Sequence, residues 1–138
     1  MVRTWADEMA DCRKVVDPLL EELRDEIAPD LKWGFVPELG FEFDAVALEL
    51  TRETGRSRVF VTFEAWVNAA SDPSDMRDRL RHLAKKLGTG KNIVYAITST
   101  GVIEKPPRVS IQQLLDEAAG IEADVETERF RKSLKASR

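Results

Sequence analysis

At 138 residues, 43% hydrophobic and 33% charged, the chain has the size and composition of one domain built on a single core. That charge density argues against a membrane-spanning protein, and a single Cys with a single His excludes both a disulfide scaffold and a conventional Cys/His zinc site. The formal net charge of −4 conceals an asymmetry: residues 1–30 carry nine acidic and four basic side chains, whereas residues 73–108 carry three and eight. The N-terminal residues include acids where a signal peptide needs an apolar stretch, so a cytoplasmic protein is expected.

Trp5, Met9, Cys12, Val16, Leu19, Leu23 and Ile27 recur at spacings of three and four and predict a first helix, with Thr4 as its N-cap. Pro18 falls inside this pattern and predicts a kink, or a restart capped by Asp17. A short strand over 32–36 follows, then two longer strands over 41–51 and 58–68. The loop between those two contains Gly55, read as a positive-φ hairpin position. Met76, Leu80, Leu83, Ala84 and Leu87 trace a second helix that Gly88 and Gly90 end. Residues 92–100 form a β-branched and apolar run without a charge, the mark of a buried strand. Ser110 and Gln113 make a capping box that opens a last helix near Ile111, which Gly120 is expected to break or bend. The expected fold class is therefore α/β (mixed α+β). The element order is α-β-β-β-α-β-α, with a central mixed sheet of about four strands and helices on both faces. The domain covers residues 1–120, and 121–138 form a C-terminal helical extension, mobile or engaged in self-association.

The strands over 41–51 and 58–68 each bring a carboxylate, Asp44 and Glu64, into an otherwise apolar run. A buried carboxylate is costly unless paired or bound to a cation, and two on neighbouring strands suit a divalent metal. This pair, with the element order over roughly residues 10–100, resembles the core of the PD-(D/E)XK (restriction-endonuclease-like) superfamily. The resemblance implies Asp44 and Glu64 as Mg²⁺ ligands and catalytic acids. Its lysine, due two positions after Glu64, is replaced by Trp66, which cannot position water; Lys85 on the next helix is the substitute candidate. In the structural reading, the two acids pair with Arg52, Arg56 or Arg58, or face solvent.

The helix over 76–87 carries Arg77, Arg81 and Lys85 at every fourth position, and Lys91 follows. Such a row neutralises phosphates, unless Asp75, Asp78 and the acidic first helix occupy it. Residues 88–91 follow a helix and precede a strand, the reverse of a phosphate loop, and are read as a helix stop. Cys12 falls on the apolar side of the first helix and is read as a core thiol. The leading expectation is a non-catalytic binding module on a nuclease-like scaffold, contacting nucleic acid or an acidic protein partner through Arg77, Arg81, Lys85 and Lys91, with no cofactor. The alternatives are a divalent-metal-dependent nuclease using Asp44 and Glu64, and a structural or regulatory homodimer.

Overall fold

Thr4 opens the first helix as expected. Its hydroxyl accepts from the Asp7 backbone N–H at 3.2 Å while the Asp7 carboxylate accepts from the Thr4 N–H at 3.0 Å. The structure is a computed structural model that describes residues 4–36 and 45–136. Helix α1 (Trp5–Glu26) runs unbroken through Pro18, and Asp17 is not a cap. Its carboxylate instead accepts from the Trp33 indole N–H at 3.0 Å. Strands β1 (Lys32–Phe35), β2 (Ala45–Thr51) and β3 (Arg56–Thr62) follow. They precede helices α2 (Phe63–Ser71) and α3 (Ser74–Gly88), strands β4 (Ile93–Ile97) and β5 (Val102–Lys105), and helix α4 (Ile111–Ala136).

The fold is mixed α+β, as expected, with one sheet of five strands in the order β1-β2-β3-β4-β5. All neighbours are antiparallel except β3 and β4, which the α2–α3 crossover joins in parallel, with Ser57 opposite Ile93. The fifth strand, absent from the sequence reading, is four residues long and buries only Ile103.

Both faces of β2 and β3 are buried, in agreement with their two-sided apolar pattern. Val46, Leu48, Leu50, Val59, Val61, Tyr95 and Ile97 face α1, α2 and α3 and form the larger core. The opposite face presents Ala45, Ala47, Phe60, Val94, Ala96 and Ile103 to Leu114, Leu115 and Ala118 of α4. Helices therefore cover both sides, three on one and one on the other.

Three expectations are corrected. The strand expected over 58–68 ends at Thr62, whose hydroxyl accepts from the Ala65 N–H at 3.2 Å and caps α2. Ala65, Trp66 and Ala69 then turn inward at helical spacing. The last helix continues through Gly120, so residues 111–136 are one element. Gly55 is required by crowding rather than by φ: a Cβ there would lie 2.5 Å from the Lys91 carbonyl oxygen. The positive φ, 88°, belongs to Gly90 just beyond α3.

Candidate functional site

The basic row on α3 meets an acidic row on α1. Arg77 Nε donates to Glu22 Oε2 at 3.2 Å, and Arg81 Nη2 donates to Glu26 Oε2 at 3.0 Å. Both rows repeat every fourth residue, so two packed helices bring them into register. Arg79 donates to the Thr98 carbonyl oxygen at 3.0 Å, and Lys86 pairs with Glu104. Lys85, one turn beyond Arg81, is exposed and has no salt bridge among the described residues. Lys91 is likewise exposed and has no salt bridge among the described residues. Of the four cations proposed from sequence as a binding row, the structure thus occupies Arg77 and Arg81 and leaves Lys85 and Lys91 open.

The open cations lie toward the end of the sheet marked by the β2–β3 loop. There the Thr54 hydroxyl donates to the Leu87 carbonyl oxygen at 2.6 Å, which holds the loop against the last turn of α3. The Arg56 N–H donates to Asn92 Oδ1 at 3.1 Å, which joins the start of β3 to the residue after Lys91. On the α4 side of this end is a cavity of about 300 Å³ lined by Glu49, Arg56, Arg58, Asn92, Pro107 and Val109, among others. Arg58 Nη2 donates to Glu49 Oε2 at 3.1 Å, while its Nε is buried with no hydrogen-bond partner among the described residues. The Arg56 side chain is exposed, and so is Arg108, which sits between two cavity-lining residues; neither has a salt bridge among the described residues. Ile111, the first residue of α4, also lines the cavity, so the positive end of that helix adds to the field of the arginines.

Asp44 lies outside the described residues. Glu64 stands in the first turn of α2 rather than on a strand, and Trp66, in the position of the expected lysine, is buried in the larger core. Glu64 follows Thr62 at the far end of β3 from Arg56, whereas Lys85 is in the last turn of α3, beside the β2–β3 loop. The seven residues of β3 put roughly 20 Å between those two ends at about 3.3 Å per residue, so Glu64 and Lys85 are not brought together. Among the described residues no group of three or more His, Cys, Asp or Glu side chains is placed to hold a metal ion. The described residues by themselves therefore do not form a Mg²⁺ site. Arg52 and Arg58 are indeed paired with carboxylates, but with Asp30 and Glu49.

Glu64 lines a second cavity with Glu122 and Glu126 of α4. Glu122 was not among the residues singled out from sequence, because an acid on an amphipathic helix reads as solvent-facing. One signal was present: Leu114, Leu115, Ala118 and Glu122 share one helix face, so Glu122 extends the buried stripe. No helix of the described residues is long and apolar enough to cross a membrane. Comparison of the chain with protein-family models, with curated proteins and with solved structures gives no match.

Proposed function

We propose that the chain is a non-catalytic binding protein that engages the phosphates of a nucleic acid through the loop end of its sheet. The supporting observation is the division of the cations: Arg77 and Arg81 are ion-paired with α1, whereas Arg56, Lys85, Lys91 and Arg108 carry no salt bridge among the described residues. Exposed cations that neutralise phosphates displace the counterions condensed on the nucleic acid, and this makes affinity strongly salt-dependent.

Fluorescence anisotropy of labelled single-stranded and duplex oligonucleotides, repeated across salt concentrations, tests this reading. The expected result is a linear fall of log affinity with log salt, with a slope near 0.9 per phosphate neutralised on duplex DNA. Arg56→Ala with Lys91→Ala should flatten that slope by about two contacts. Arg77→Ala with Arg81→Ala should leave it in place. A salt-independent response would overturn the proposal, and preferential binding of a Glu-rich peptide would replace the nucleic acid with an acidic protein partner. Self-association is a second reading, favoured by the 65% exposure of Phe130 on the outer turns of α4. Light scattering at two concentrations tests it, and a constant monomer mass would end it.

A further inference from the structure

At the end of the sheet opposite the arginine-lined cavity, the carboxylate of Glu122 is held on one side only. Its Oε1 accepts from both the backbone N–H and the hydroxyl of Ser99, each at 2.8 Å. Its Oε2 is buried and has no hydrogen-bond partner among the described residues, and the residue as a whole is only 8% exposed. A buried carboxylate oxygen without a donor keeps its full desolvation penalty, so the position calls for one.

The surroundings narrow what that donor is. Glu122 lines a cavity of about 190 Å³ together with Glu64 and Glu126, and Glu126 is exposed with no ion pair among the described residues. A neutral donor satisfies only the hydrogen bond at Oε2, whereas a cationic donor also answers the charge of Glu126. A cluster able to hold a metal ion is not formed among the described residues. The rest of the lining is Leu115 and the small side chains of Ala45, Ala118, Ala119 and Ala123, with Thr62 as its one polar residue. A charged head between carboxylates with an alkyl stem along small apolar side chains is the arrangement that suits an ammonium group with three N–H donors. The geometry points to this cavity as a binding site for a primary alkylammonium group, with Glu122 Oε2 as the buried acceptor and Glu126 as the outer one. The site is independent of the nucleic-acid surface: it is acidic, is formed by the middle of α4, and lies at the opposite end of the sheet.

The test is calorimetric titration of the full chain with n-butylammonium chloride, against sodium chloride, tetramethylammonium chloride and magnesium chloride at matched ionic strength. Saturable binding of butylammonium is expected, weakened at least tenfold in Glu122→Gln. Tetramethylammonium, which has no N–H, should give no saturable signal. Glu126→Gln, an exposed change that leaves the fold alone, should weaken binding several-fold and covers the case in which Glu122→Gln does not fold. Butylammonium binding that matches sodium, that is retained in both variants, or that tetramethylammonium reproduces would overturn the proposal. Saturating magnesium binding that displaces butylammonium would reassign the cavity to a divalent ion.

Discussion

Arg52 grips Asp30 through both carboxylate oxygens: Nε donates to Oδ1 at 3.1 Å and to Oδ2 at 3.2 Å, and Nη2 donates to Oδ1 at 2.8 Å. The remaining nitrogen, Nη1, donates to the Ala84 carbonyl oxygen at 3.1 Å. The Glu53 backbone N–H closes the set at 2.9 Å from Asp30 Oδ2. One guanidinium thereby ties the turn after α1, the β2–β3 loop and the last turns of α3 to each other. Multidentate Arg–carboxylate geometry of this kind has the directionality that isolated surface ion pairs lack.

This grip gives Asp30 a pH signature. The hydrogen bonds from Arg52, then that from the Glu53 N–H, hold its carboxyl down from 3.8 to about 2. Because the folded value lies below the unfolded one, the contribution to stability is present above about pH 4 and is lost as pH falls towards 2. Urea midpoints measured between pH 2 and 6 should show a shallower acid loss in Asp30→Asn than in the parent chain. Parallel curves over that interval would contradict the assignment.

Two glycines should respond in opposite directions to alanine. At Gly55 the added Cβ would meet the backbone oxygens of Lys91 at 2.5 Å and Leu87 at 2.8 Å, neither of which can rotate away. Gly55→Ala should cost about 1–3 kcal/mol by overpacking. At Gly120, on the exposed side of α4, nothing lies within 4 Å, and Gly120→Ala should stabilise the chain by about 0.5–1 kcal/mol through helix propensity. Chemical denaturation of the two variants distinguishes crowding from backbone freedom.

Thr62 ends β3 and caps α2 through its hydroxyl. Thr62→Val keeps the shape and removes the acceptor, and it should cost about 1 kcal/mol, while Thr62→Ser retains most of it. Hydrogen exchange at the Ala65 amide should rise in Thr62→Val ahead of the strand amides. Unchanged protection there would show that the hydroxyl bond does not hold the helix start.

Tyr95 belongs to the larger core, and its hydroxyl is buried with no hydrogen-bond partner among the described residues. Burial first, and then the charge of Glu104, pushes the phenol up from 10.0 to about 12. Tyr95→Phe removes an unsatisfied polar group without opening a cavity, so it should leave stability unchanged or raise it by up to about 1 kcal/mol. The parent chain alone should lose stability from Tyr95 ionisation above pH 10, where the unfolded phenol ionises first. A clear loss of stability in the phenylalanine variant at neutral pH would reveal a partner for the hydroxyl.

The sequence by itself determined the elements whose signal is local and repeated. The three-and-four spacing of Met9, Cys12, Val16, Leu19 and Leu23 places α1, and the stripe from Met76 to Leu87 places α3. The two-sided apolar pattern of β2 and β3 announces a sheet covered on both faces, because burial acts on alternate side chains of a strand. Only the tertiary structure decided where β3 becomes α2. Residues 59–67 alternate well enough for a strand, and the choice turns on Thr62 capping and on Ala65, Trp66 and Ala69 reaching the core only as a helix. It also decided which charges remain available. Arg77 and Arg81 are indistinguishable from Lys85 along the chain, and they lose their freedom to Glu22 and Glu26, 55 residues earlier in each case, because two helices lie side by side. The same holds for Glu122, whose burial depends on Ser99 approaching from the end of β4. Hydrophobic periodicity is written in neighbouring residues, whereas ion pairing and desolvation depend on distances that exist only after the chain has folded.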